Sequence, residues 1–159
     1  MVVVREVSQE DWELLREVRL AALLEAPSAF ASTYAREASF TREQWLARFS
    51  ARGVTFFGYL PQAPEPAGLA GIYVEDGVPD VVSLWVRPAA RGHRLGEALL
   101  TAAADWVRSR GHDAVFLWVN ESNTVARALY ERCGFTSTGE RQPLPSEPEL
   151  TEIRMRRPL

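Results

Sequence analysis

Apolar residues along the chain follow two rhythms. Short β-branched and aromatic runs at 2–7, 54–60, 67–74, 81–86, 114–119, 135–140 and 150–156 have the length and composition of strands. Two longer stretches repeat at steps of three and four: Trp12, Leu15, Val18 and Ala22 within 9–25, and Leu95, Leu99, Ala102 and Trp106 within 95–110. That spacing puts each set on one face of a helix. Ser8 with Asp11, and Thr41 with Gln44, read as capping boxes; the second opens a short helix that turns Trp45, Leu46 and Phe49 inward. Pro27 stops the first helix and begins an irregular link. Glu75-Asp76-Gly77 reads as a hairpin turn, and 120–123 supplies cap chemistry for a helix over 124–133 that Gly134 ends. Three prolines make 142–148 a loop between the last two strands.

The predicted order is one strand, two helices, three antiparallel strands, a helix, a strand, a helix and two strands. This is an α+β chain with about seven strands in a mixed, mostly antiparallel sheet and about four helices. The run Ala114-Val115-Phe116-Leu117-Trp118-Val119 suits an interior strand covered on both faces. It is expected beside 81–86, parallel to it across the central helix. Without repeat or linker, 1–159 reads as a single domain.

Composition narrows the chemistry. Hydrophobic residues make up 47% and charged residues 25%, the balance of an ordinary globular protein. A net charge of −3 with no long run of one sign argues against a nucleic-acid surface. The chain has no lysine, which removes lysine-based catalysis. Cys133 is the single cysteine, so neither an internal disulfide nor a cysteine metal cluster can form. His93 and His112 lack partners at a metal-binding spacing. The first residues, three valines followed by charge, fit neither a signal peptide nor a membrane span, so a cytoplasmic protein is expected.

The stretch between strand 81–86 and the central helix carries the strongest chemical signal. Pro88 breaks the strand, and Arg91-Gly92-His93-Arg94-Leu95-Gly96 turns into the helix. The first N–H groups of a helix have no internal partner and lie at its positive end, so such a turn suits phosphate. Gly92 and Gly96 leave room, and Arg91 and Arg94 add charge. An ordinary strand-to-helix connection with solvated arginines fits the same residues equally well. Tyr130 is likewise open to two readings, a half-buried aromatic or a proton donor, and Asn123 reads first as a helix N-cap.

Taken together, these residues resemble the GNAT superfamily of acyl-CoA-dependent N-acetyltransferases, over essentially the whole length. That family's turn, Arg/Gln-x-x-Gly-x-Gly/Ala, is matched at Arg91 and Gly96, after the strand Leu84-Trp85-Val86-Arg87-Pro88. Its middle glycine is replaced by Arg94, whose backbone N–H is retained. A second motif, Asn-x-x-Ala-x-x-Leu-Tyr-x-x-x-Gly-Phe, is matched at Asn123, Ala126, Leu129, Tyr130, Gly134 and Phe135. Arg19–Leu20 and the segment from Pro27 to Phe30 are similar to bacterial small-molecule members.

The resemblance implies a splayed sheet, acetyl-CoA as cosubstrate, a small-molecule amine as acceptor and a homodimer. It implies that the 91–96 amides hold the pyrophosphate and that Leu84, Trp85 and Val86 pair with the pantetheine arm, as does Asn123. The N–H of Val86 or Leu84 is the candidate oxyanion donor, and Tyr130 the candidate acid for the leaving thiolate. Glu75, Asp80 and Glu140 are candidate bases beside a water chain. Phe30, Tyr34, Ser83, Trp85 and residues 144–146 are candidates for the acceptor side. A regulatory module that binds acyl-CoA without catalysis is the alternative.

Overall fold

The computed structural model describes the chain from Met1 to Leu159. Its seven strands are β1 (Val3–Glu6), β2 (Gly53–Tyr59), β3 (Gly68–Glu75), β4 (Val78–Val86), β5 (Ala114–Asn120), β6 (Thr136–Leu144) and β7 (Glu147–Pro158). They form one sheet in the order β1-β2-β3-β4-β5-β7-β6. Every neighbouring pair is antiparallel except β4 and β5, as the sequence predicts. That parallel ladder pairs only Asp80 with Phe116 and Val81 with Leu117. Beyond Val81 the two strands part, and the sheet is splayed.

The parting starts at a bulge. Leu69 faces Trp85 and Gly71 faces Val82, so β4 spends one more residue than β3 over the same rise. Ser83 takes up the extra residue with φ +63°, a left-handed conformation that costs a non-glycine residue roughly 1–2 kcal/mol. Arg19 Nη1 donates to Ser83 Oγ at 2.8 Å and ties the bulge to the layer above it.

Five helices cover the sheet: α1 (Trp12–Glu25), α2 (Tyr34–Ala38), α3 (Arg42–Leu46), α4 (Leu95–Ser109) and α5 (Thr124–Arg132). The main core lies on the α4–α5 side, where Leu95, Leu99, Ala103 and Val107 meet Ile72, Val81, Leu117 and Ile153. Each large aliphatic buried there contributes about 1.5–3 kcal/mol. The fully buried stripe of α4 runs through Ala103 and Val107 rather than Ala102 and Trp106, which are only partly buried. Trp106 stacks under the Arg110 guanidinium at 4.6 Å, an amphipathic position at the margin of the core. A second core joins α1 and α3 to the other face through Leu15, Val18, Leu23, Trp45, Phe57 and Leu69.

Some local expectations hold and others do not. Thr41 and Gln44 form the reciprocal capping box, at 3.2 and 2.8 Å. At Ser8 the hydroxyl bonds the Asp11 carboxylate instead of a backbone N–H, and a 3-10 turn over Gln9–Asp11 leads into α1. Helix α2, capped by Thr33 but a single turn long, is too short for periodicity to reveal. The proline-rich 142–148 segment is a tight hairpin, with Leu144 facing Glu147. Pro143 sits on the edge strand and Pro148 lies beyond the end of β5, so neither missing N–H interrupts the sheet interior.

A buried ion cluster joins the second core to the bulge. Glu37, 1% exposed, accepts from Arg19 Nε and Nη2 at 3.0 Å each and from Arg48 Nη2 at 2.5 Å. Burial works to raise the Glu37 pKa, but the bonds and charges of Arg19 and Arg48 outweigh it and hold the carboxyl below its usual range. A depressed folded-state pKa adds stability that is present above the unfolded value of about 4.3 and is lost as pH falls through the lower folded value. Glu37→Ala, which strands two guanidiniums, should cost about 3–5 kcal/mol in urea unfolding at neutral pH. Glu37→Gln should remove this cluster's share of the acid-side loss, read from unfolding midpoints across the acid range.

Candidate active site

Strand β4 ends at Arg87-Pro88, and a 3-10 turn over Pro88–Ala90 carries the chain into the 91–94 turn ahead of α4. Gly92 has φ +89° and Arg94 φ +62°. The left-handed backbone at Arg94 is the physical reason a glycine suits that position. No backbone N–H from Gly92 through Glu97 finds an acceptor in the protein, and all of them belong to the positive end of a 15-residue helix. The Arg94 side chain is 84% exposed, with only a 3.4 Å contact to Glu97. Arg91 is engaged elsewhere, donating to the Val86 carbonyl at 3.1 Å and to Glu25 at 2.7 Å. His93 is fixed by its Nδ1 on the Ala90 carbonyl at 3.0 Å. Leu95 points its side chain into the core, so only its N–H serves the turn. At Gly96 an added Cβ would lie 3.1 Å from Leu129, so glycine lets α4 and α5 approach closely.

A cleft of about 720 Å³ runs from this turn into the splay, lined by Leu84, Trp85, Val86, Gly96, Asn123 and Tyr130 among others. Arg87 N–H bonds the Ala67 carbonyl on the β3 side. Ladder alternation therefore turns the N–H and C=O of Val86 away from β3, toward the open gap. Asn123 Oδ1 caps α5 by accepting from the Ala126 N–H at 3.1 Å, and its amide nitrogen carries no bond to the protein. Glu25, the last residue of α1, braces the cleft mouth by accepting from Trp85 Nε1 at 2.9 Å and from Arg91.

On the α1 side of the splay lies a second cavity of about 470 Å³. Its floor is Val82, Ser83, Leu84, Trp118 and Glu152, and the segment from Ala29 to Ser32 forms its wall. That segment is pinned from below. Asn120 donates to the Ser28 carbonyl at 3.2 Å, Ser28 bonds Glu147 at 2.7 Å, and Ser146 donates to the Phe30 carbonyl at 2.5 Å.

Tyr130 lines both spaces. Its ring packs edge-on against Phe135 at 5.8 Å, and its hydroxyl has no partner within the protein. Burial, with a smaller push from Cys133, drives the phenol well above its ordinary pKa, so it carries its proton throughout the neutral range. Cys133 lines neither space, and burial raises its thiol pKa.

The carboxylates sort themselves by partner. Asp80 lines the second cavity but is held by both terminal nitrogens of Arg154, which removes it as a free base. Glu140 is exposed on the edge strand and lines neither space. Glu75 lines the second cavity and is exposed. Glu152, which sequence reading passed over, is 5% exposed on the cavity floor. Gln142 Nε2 donates to its Oε1 at 2.5 Å, and its Oε2 has no partner in the protein. Burial raises its pKa against the opposing pull of Gln142 and Arg154. A signal was present in Leu-Thr-Glu-Ile-Arg-Met, where an acid alternates with the core residues Ile153 and Met155.

The acceptor-side candidates divide too. Ser83 and Phe30 line the second cavity, although the Ser83 hydroxyl accepts from Arg19 and the Phe30 ring lies under the Arg19 guanidinium at 4.8 Å. Trp85 belongs to the first cleft, because the bulge turns it toward α1. Tyr34 stands on the outer face of α1 and α2, away from both spaces, and residues 144–146 brace Phe30 from outside the cavity.

Comparison with known proteins agrees with this geometry. Residues 14–135 match the model of the acetyltransferase (GNAT) family. The mycothiol acetyltransferase of Renibacterium salmoninarum is 28% identical over 139 residues, 81% of this chain and 38% of that protein. The mycothiol acetyltransferase of Clavibacter sepedonicus is 44% identical over 69 residues, 43% of this chain and 23% of that protein. The chain thus spans well under half the length of these curated relatives. The yncA structure from Salmonella typhimurium, solved with its cofactor acetyl-CoA, superposes with TM-score 0.78 at 21% identity, covering 100% of this chain and 94% of that one. The splayed sheet, the amide turn at the head of α4 and the matched family model together place this chain in the acetyltransferase (GNAT) family.

Proposed function

We propose that this protein transfers an acetyl group from acetyl-CoA to the primary amine of a small molecule, by direct attack with both substrates bound. The observation that carries the reading is the position of Tyr130, which lines both of the spaces at the splay. The cleft residues fit coenzyme A. Amides from Gly92 to Glu97 suit the pyrophosphate, and Arg94 is free to add a charge-assisted bond. The outward backbone of Val86 and the free amide of Asn123 suit the pantetheine arm, Val86 C=O exchanging its Arg91 bond for a pantetheine N–H.

The reaction asks three things of the second cavity and the gap. An alkyl ammonium, with a pKa of about 10.4, must first lose a proton. Glu152 suits that role, because it lines the cavity with one oxygen unbonded to the protein and burial makes it more basic than an ordinary carboxylate. The amine then forms the N–C bond, and the Val86 N–H stabilises the charge that develops on the carbonyl oxygen. As the C–S bond breaks, Tyr130 gives its proton to the leaving sulfur. Cys133, half-buried and outside both spaces, offers no acyl-enzyme route.

Release of free thiol from acetyl-CoA in the presence of an amine panel tests the activity. Tyr130→Phe keeps the ring packing and removes the proton donor, so the rate should fall about 10²-fold with little change in coenzyme A affinity. A rate equal to that of the parent would show that water protonates the sulfur. For Glu152→Gln the expected result is a drop of similar size at neutral pH. The parent's rate should decline toward acid through a pKa above the ordinary carboxylate range, and the variant should lack that limb. Arg94→Gly removes a guanidinium while relieving a left-handed backbone. Coenzyme A binding should weaken severalfold by titration calorimetry, whereas tighter binding would show that the side chain only crowds the turn.

A further inference from the structure

A third cavity, of about 590 Å³, opens on the same face of the sheet, between α1, the segment after α3 from Ala47 to Arg52, and strands β2, β3 and β4. It adjoins the proposed acceptor cavity, since Arg19, Tyr73, Val82 and Ser83 line both. Its charge is one-sided. Arg19, Arg48 and Arg52 line it, and no aspartate or glutamate does. Arg19 and Arg48 share the single carboxylate of Glu37, which leaves that cluster one positive charge in excess. Arg52 makes no side-chain hydrogen bond or ion pair with the protein. A chain of net charge −3 that gathers three guanidiniums around one cavity has concentrated positive potential where a ligand can reach it.

The acceptor cavity is different in kind. The carboxylates Glu75, Asp80 and Glu152 line it, together with Arg19 and Arg36; Arg19 is paired with Glu37 and Asp80 with Arg154. The joined groove therefore carries carboxylates only where the amine would react, and its far end is lined by arginine alone among charged residues. We infer that the third cavity binds the anionic end of the acceptor, so that the substrate is an amine that also carries a carboxylate or a similar anion. The inference rests on the acetyl-transfer reading for what happens at the amine, but anion recognition at Arg52 is separable from it.

The sheet register sets the reach. Gly53, beside Arg52, pairs with Tyr73, and Tyr73 pairs with Asp80 on β4. Arg52 thus lies two interstrand spacings from β4, about 10 Å. The amine reacts beyond β4, in the splay, so an acceptor with its amine and anion at least that far apart spans the groove, while a short α-amino acid does not.

The test uses the full chain saturated with coenzyme A, so that the 91–96 turn is occupied and cannot capture the probe. Titration calorimetry then compares a ladder of ω-amino carboxylates with the amino alcohols of matching chain length. The carboxylates long enough to span the groove should bind about tenfold tighter than their alcohols, the value of roughly one charge-assisted hydrogen bond. Arg52→Glu should abolish that ratio and Arg52→Gln should reduce it; both replace an exposed side chain outside the Glu37 cluster. Equal affinities for each matched pair, or a carboxylate preference that survives Arg52→Glu, would overturn the inference. Thiol release is measured on the same ladder with acetyl-CoA. A carboxylate preference in binding without any turnover would leave the anion site standing and remove the acetyl-transfer reading instead.

Discussion

Parallel pairing of β4 with β5 stops after Val81 and Leu117, and the chemistry of the molecule depends on that stop. A fully zipped ladder would leave no edge for a ligand to pair with and no opening between the two faces. The divergence has a cost, because it frees backbone groups that a sheet normally satisfies and requires a bulge with a left-handed serine. Arg19 meets part of that cost. Buried at 7% exposure, it bonds Ser83 with one terminal nitrogen and grips Glu37 with its other two nitrogens. One guanidinium thus couples the shape of β4 to the packing of α1 and α2. Removing Glu37 would disturb the bulge as well as the ion cluster.

The 91–96 turn follows a related logic on the other side of the gap. A run of amides without acceptors at the head of a helix is costly in an apolar setting and cheap where water or an anion can reach it. Here residues 91–94 are exposed, so the unpaired amides carry no large penalty there. Arg94 changes the balance slightly. A side chain at φ +62° costs backbone energy that glycine would not, in return for a mobile positive charge beside the amides. Arg91, the more obvious basic residue, acts instead as a brace between Glu25 and Val86.

Much of this was legible in the sequence, for reasons specific to each part. Strands 81–86 and 114–119 announce themselves because each is a nearly unbroken run of β-branched, aromatic and aliphatic residues. Asn123, Tyr130 and Gly134 sit in a motif whose spacing encodes a cap, an inward ring and a glycine stop, and all three appear there. What escaped is mostly polar and non-local. Arg19 and Glu37 lie 18 residues apart and become partners only once α1 and α2 pack. Glu152 looks like any strand acid until Gln142 and the cavity give it surroundings. Asp80, a natural candidate by position, is claimed by Arg154, itself sandwiched against Phe116 and Trp118 at about 5 Å. Local pattern predicts which face a residue occupies, but not which charge will reach it first.

In the proposed reaction two groups with opposite duties share one cavity, and burial suits both. Tyr130 would hold a proton until a thiolate appears, and Glu152 would take one from an ammonium. Desolvation disfavours the charged form of each, so it moves both pKa values upward. For the phenol this guarantees that the proton is present; for the carboxylate it increases affinity for one. The same burial therefore favours the protonated form of both groups. The wall from Ala29 to Ser32, tied to β5 and to the β6–β7 turn, covers the cavity where the sheet has opened.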